Sequence, residues 1–303
     1  MTTLAMNVQI DTLIASQYAN KHYGELEAVS MLFSRAFLTG LKSILNHNPW
    51  HRPNIKSRYN IRIGWIDKIP LAEFNPPAIG VNGATITQRV EVGDFMIILS
   101  ENHLQRNPDD TIRYCKNQRA LIVQAKLSDQ QNPTSPIGHI PPSGITPTLK
   151  ELALLSSWPS FDLYLASRSK THIIKNLNIP FNPQQSCFSG FNNKKWFCGQ
   201  AVNKAPCNLS LGEVIENITK RNAGFVFNEV SPQNDWDELI KAMVDICQKK
   251  NRPKRYINTA APGRLLSAFT QFIDDTQYKD LVLEEDNPVF PILFIDRYLI
   301  EGE

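Results

Sequence analysis

Apolar residues recur at three- and four-residue spacing through residues 25–45. Val29, Leu32, Phe33, Ala36, Phe37, Leu41 and Ile44 make one stripe, the pattern of a single helix with one buried face. Gly24 and the polar residues before it supply its start. NHNPWHRPN then breaks the chain, and IRIGWI at 61–66 alternates with the period of a half-buried strand. The Pro- and Gly-containing residues 70–83 read as a loop. FMIIL at 95–99 and ALIVQAK at 120–126 each have the character of a buried strand. Residues 128–147 hold five prolines and two glycines, a loop length that is commonly functional or disordered. LKELALLSSW (149–158) predicts a helix stopped by Pro159, and FDLYLA (161–166) another strand.

Beyond residue 166 the pattern changes to a loop-rich stretch over 168–208, then helices near 211–222, 234–250 and 262–275. VFPILFIDRYL ends the chain as a strand, placed at a sheet edge by Pro291. The expected order is helix, three strands, helix and strand over 1–166, followed by a mainly helical α+β region over 167–303. A core shared by the two parts stays open.

The bulk composition narrows the class. With 303 residues, 42% hydrophobic and 20% charged, the chain folds around a real core. A net charge of +3 permits a polyanionic partner without requiring one. No apolar run approaches the ~18 residues of a membrane helix, and the N-terminus lacks the pattern of a signal peptide, so a cytoplasmic protein is expected. Five scattered cysteines fit reduced thiols. Cys187, Cys198 and Cys207 share one stretch, but no C-x-x-C pair or nearby His completes a zinc site.

The chemistry concentrates where burial and polarity conflict. Alternation places Gln124 and Lys126 on one face at the end of an apolar strand, and such conflicts gather at functional sites. Asp94 opens the preceding strand, after Gly93, whose missing side chain allows a close approach or a bend. If the two strands are neighbours, an acid, an amide oxygen and an ammonium converge. That set suits metal-assisted phosphodiester hydrolysis, since Mg²⁺ (or Mn²⁺) takes one or two carboxylates plus waters and phosphate oxygens. Asp94 and Gln124 would be ligands. Lys126 would orient or deprotonate the attacking water, or stabilise developing charge. The plainer reading is that Asp94 caps a turn and Lys126 ends a strand at the surface.

GDFMIIL followed by ALIVQAK resembles the D…(D/E/Q)-x-K signature of the PD-(D/E)XK, restriction-endonuclease-like nuclease superfamily. The helix, three strands, helix and strand are similar to that family's αβββαβ core. The resemblance covers about residues 20–166. It implies an α/β fold with a mixed central sheet and an endonuclease that acts on DNA rather than RNA. It also implies an effector role in anti-phage defence, with room for a partner protein and for oligomers. Gln124 stands where the commonest form has an acid and lowers the negative charge at the metal.

Family members often add an acid from the first helix. Glu25 lies in angle with Val29, Leu32 and Ala36, whereas Glu27 points off the stripe, so Glu25 is the third candidate metal ligand. Glu91 faces away from Asp94 unless Gly93 makes a bulge. The run QKKNRPKRY, with Lys249, Lys250, Arg252, Lys254 and Arg255, is the candidate nucleic-acid contact, beside Tyr256 for stacking. HRPNIKSRYNIR is a second basic run. The competing function is a non-catalytic nucleic-acid-binding or scaffold subunit. A small-molecule enzyme finds no G-x-G-x-x-G, Walker A, G-x-S-x-G or H-E-x-x-H motif.

Overall fold

A computed structural model of the chain describes residues 4–49, 55–66, 68–106, 112–249 and 289–301. The helices among them are α1 (Met6–Ser16), α2 (Glu25–Met31), α3 (Arg35–His47), α4 (Pro147–Leu155), α5 (Leu211–Thr219) and α6 (Asp235–Lys249). The long strands are β1 (Ile55–Ile66), β6 (Phe95–Arg106), β7 (Ile112–Leu127), β10 (Ser186–Asn192), β11 (Lys195–Gln200) and β14 (Phe290–Glu301). Shorter ones are β2 (Leu71–Phe74), β3 (Ala78–Ile79), β4 (Thr85–Ile86), β5 (Val90–Glu91), β8 (Phe161–Tyr164), β9 (Ile174–Leu177), β12 (Leu209–Ser210) and β13 (Phe225–Phe227).

The fold is α/β around a mixed sheet in the order β1-β14-β6-β7-β10-β11-β12, with β13 also on β7. β6 and β7 are antiparallel neighbours, β10 runs parallel to β7, and β14 runs parallel to β6. Both faces of the sheet are covered. Met96, Ile98, Ala120 and Ile122 pack with α4 and α6, while Phe95, Ile97, Leu121 and Val123 pack with α1, α2, α3 and α5. Two-sided burial is why the central strands read as unbroken apolar runs. A smaller antiparallel sheet, β5-β2-β8-β9, stands beside it.

Several expectations need correction. The single helix over 25–45 is two helices bent by 46°, because Ser34 accepts the Phe37 N–H and caps α3. Residues 70–83 form β2 and β3 as well as loop, and 168–208 hold β9, β10 and β11. Asn193 and Lys194 turn the β10–β11 hairpin with φ of 46° and 67°, the primed geometry that matches strand twist. β14 is an interior strand between β1 and β6. Pro291 is tolerated because it sits at the strand's start, where β14 pairs with β1 at Trp65 and the ladder to β6 begins only at Ile292.

The strand at 161–166 forms as β8 but pairs with β2 and β9, and β10 occupies the place beside β7. The main sheet therefore crosses the sequence boundary drawn at residue 166. Among the described residues beyond it there are six strands and two helices, not a mainly helical region. The helix expected near 262–275 lies outside the described residues. No single helix among the described residues is long and apolar enough to cross a membrane.

Candidate functional site

Asp94 sits where the chain passes from the small sheet to the large one. β5 ends at Glu91 and β6 begins at Phe95, and the Asp94 N–H donates to Val123 O at 2.9 Å. Gly93 is required here, since a Cβ would lie 2.6 Å from Ile122 Cγ2 and 3.1 Å from Val123 O. The Asp94 carboxylate is buried and its Oδ2 accepts two hydrogen bonds, from Ala125 N at 2.6 Å and from Gln124 Nε2. The first of these belongs to the plainer reading, in which Asp94 caps backbone at the sheet's end. The second sets the Gln124 amide while Asp94 is ionised, because only its N–H₂ can face a carboxylate oxygen. Gln124 Oε1 is left fully buried without a partner, which is costly unless a donor or cation meets it.

Lys126, two residues on and on the same face, is reached from both helical layers. Its Nζ lies 3.1 Å from Glu151 Oε1 on α4 and 3.3 Å from Glu25 Oε1 at the start of α2. Glu151 is buried, and its second oxygen, Oε2, has no partner. Glu27, by contrast, is exposed and pairs with Lys21 at 2.5 Å. The structure thus brings Asp94, Gln124, Lys126 and Glu25 together, and adds Glu151 and Glu91. Glu91 and Glu151 both border, with Lys126, a cavity of about 730 Å³.

Burial pushes the Asp94 carboxyl well above the usual carboxylate range. Lys126 opposes this, and the charges of Glu25, Glu91 and Glu151 add to it. Glu91 and Glu151 are raised as well, again mainly by burial, with Lys126 opposing. Burial alone would lower Lys126, but Asp94, Glu151 and Glu25 outweigh it and hold the ammonium charged. The Lys126–Glu151 pair looks contradictory in isolation, with a stabilised cation beside a penalised acid. One ammonium shared among four acids removes the contradiction. It keeps its own charge and cannot compensate all of theirs. A standing cation also cannot take a proton, so of the roles expected for Lys126 the base is the one this environment disfavours.

Sequence reasoning missed Glu151, although LKELALL carries a signal. Leu149 and Leu152 through Leu155 are all buried on α4, so an acid among them is a polar group on a helix with almost no wet face. Glu91, expected to face away unless Gly93 makes a bulge, does reach the site, because the chain changes sheets across residues 92–94. Lys249 ends α6 with its side chain outside the described residues, and Lys250, Arg252, Lys254 and Arg255 also lie outside them. In the second basic run, Arg62 is engaged with Asp296.

Among the described residues no three His, Cys, Asp or Glu side chains form a metal-holding group. Of the five cysteines, the four whose side chains are described are all free and buried. The chain matches no family model, no curated protein and no solved structure.

Proposed function

We propose that the chain is a metal-dependent endonuclease of the PD-(D/E)XK type, acting on DNA as an effector of bacterial anti-phage defence. The observation that carries the chemistry is the surplus of oxygen donors around one ammonium. Four acids act on Lys126, and two nearby oxygens, Gln124 Oε1 and Glu151 Oε2, are buried without partners; of this set Lys126, Glu91 and Glu151 line an open cavity. A hard divalent cation fits that donor set. Mg²⁺ or Mn²⁺ needs only one or two carboxylates when a phosphate and waters complete its shell. Asp94, Gln124 Oε1 and Glu151 would hold it, and when bound it would polarise the phosphate and acidify a water. The nuclease type and the DNA target rest on the GDFMIIL…ALIVQAK resemblance. The β6–β7 hairpin, the α4 crossover and parallel β10 support it as the ββαβ half of the family core, with β14 inserted between β1 and β6.

The chain's own residues then have separate tasks. Asp94 holds the Gln124 amide so that its oxygen faces away from the carboxylate. Glu151 and Glu25 fix Lys126 from opposite layers. Lys126 presents positive charge and N–H donors to the non-bridging oxygens of the reacting phosphate, where negative charge grows. Purified protein incubated with plasmid, linear DNA and RNA should cut DNA with Mg²⁺ and not with EDTA, and Asp94→Ala should not cut at all. Binding without cleavage under every condition would instead identify a non-catalytic nucleic-acid-binding or scaffold subunit.

A further inference from the structure

The cavity above Lys126 has two electrostatic zones. Its floor holds Glu91, Glu151 and Lys126, and its rim carries Lys68, Lys150 and Arg168. The three rim cations come from three separate elements: the β1–β2 turn, α4 and the β8–β9 loop. Among the described residues, neither Lys68 nor Arg168 has an acidic partner within ion-pair distance, and both are exposed. Lys150 donates to Arg89 O at 3.1 Å and Gln88 Oε1 at 3.5 Å, both neutral acceptors, and although its charge reaches Glu91 it forms no ion pair among the described residues.

A fourth rim residue, Arg89, has another task. Its Nε pairs with Glu73 at 2.7 Å, its guanidinium lies 3.5 Å from the Tyr164 ring centre, and its Nη1 donates to the carbonyls of Ala166, Ser167 and Ser169. Arg89 is neutralised, and it pins the loop that presents Arg168.

We infer that Lys68, Lys150 and Arg168 bind the phosphates flanking the reacting one, so that this rim is the track of a nucleic-acid strand. The inference rests on the nuclease reading of the floor and deepens it. A single free phosphate would be served by cations at one point, whereas three cations without ion-pair partners, on separate elements around an acidic floor, suit a polyanion. The acidic floor repels that polyanion except where Lys126 and a divalent cation stand, which directs one phosphate inward and leaves its neighbours on the rim. Each phosphate neutralised releases counterions, so affinity falls with salt in proportion to the number of such contacts.

The test is binding of a labelled 20-nucleotide strand and its duplex to the full chain, across a salt series, with EDTA and separately with Ca²⁺. The wild type is compared with Lys68→Ala/Arg168→Ala and with a control pair of exposed lysines that do not line the cavity, Lys195→Ala/Lys220→Ala. The rim variant should bind on the order of tenfold more weakly, with the slope of log affinity against log salt reduced by about 1.5–2. The control should match the wild type. Because both rim side chains are exposed, thermal unfolding should be unchanged, and cleavage should show a raised KM with kcat retained at saturating substrate. A rim variant with wild-type affinity and slope, beside a wild type that binds and cuts, overturns the rim inference alone. So does displacement of the strand by a mononucleotide at equal phosphate concentration. A wild type that binds neither strand nor duplex at low salt overturns both the rim inference and the nuclease reading beneath it.

Discussion

Lys126→Met should cost little at pH 5 and several kcal/mol at pH 8 in the absence of divalent cations. Methionine keeps the stem that passes through the packed strand end and removes only the ammonium. At 3.1 Å from Glu151, with side chains 19% and 4% exposed, the lost attraction is about 5 kcal/mol at an effective dielectric constant near 20. Glu25, 31% exposed, adds little because water screens it. The orphaned Glu151 escapes by taking a proton, which limits the loss. From an ordinary Glu pKa, protonation costs about 1 kcal/mol at pH 5 and about 5 kcal/mol at pH 8.

The sign follows from the direction of the shifts. An acid whose folded-state pKa is raised carries no penalty below its unfolded-state pKa, where it is neutral in both states, and costs stability progressively as pH climbs from there through the folded-state pKa. The variant raises Asp94, Glu91 and Glu151 further, so its deficit grows with pH. Urea unfolding at pH 5 and pH 8 in EDTA measures it, and the difference between the two values is more secure than either alone. Equal losses at both pH values would show that no ionised acids depend on this ammonium, and the donor surplus would cease to be an argument for a metal.

Four further outcomes are expected. Asp94→Asn removes a buried charge while keeping an acceptor for Ala125 N. It should leave the metal-free protein as stable or more stable at pH 8, as read by urea unfolding, and cleavage should vanish; marked destabilisation would favour the capping role. Mg²⁺ affinity, followed calorimetrically, should rise with pH and binding should release protons, because raised acids must ionise to become ligands; pH-independent affinity would argue against Asp94 and Glu151 as donors. Glu25→Gln should slow cleavage on the order of a hundredfold while Glu27→Gln, on a solvent-facing pair with Lys21, leaves the rate unchanged; the reverse ranking would show that the wrong acid was chosen. Ser34→Ala should lower stability by about 1 kcal/mol through loss of the α3 cap, measured by urea unfolding, and no change would mean that the turn at 32–34 holds without it.

What the sequence made legible was local, and what it hid was long-range. FMIIL and ALIVQAK are buried on both faces and read as strands without help. That Asp94 meets Gln124 required only that β6 and β7 be neighbours, which adjacent strands usually are. The side of α2 carrying Glu25 followed from four residues of spacing to Val29, even though the helix ends at Met31. The break itself was masked because Leu32 and Phe33 are buried in the turn and continue the apolar stripe. The β10–β11 hairpin was hidden because Asn193-Lys194 takes a primed turn without the glycine that usually announces one. The place of β14 could not be read at all. Its partners lie roughly two thirds of the chain or more away, and nothing in VFPILFIDRYL says which of two strands it separates.

The sheet carries a second, largely buried charge cluster, and it differs from the first in the balance of acids and cations. Glu101 is bound by Arg221, at 2.6 Å, and by Arg297; Arg62 holds Asp296, and Lys116 holds Glu229 at 2.5 Å. Arg297 is fully buried yet also donates to Thr219 O at 2.6 Å. There each acid has a cation, and a buried pair of this kind is costly to break and needs nothing from outside. Around Lys126 the same protein places four acids against one ammonium, buries three of them deeply enough to raise their pKa values, and leaves two oxygens without partners. Protons can settle that imbalance in the free protein, which is what the raised carboxyls express. On the proposed reading a divalent cation would settle it with the same oxygens, so that metal and proton would compete for one site.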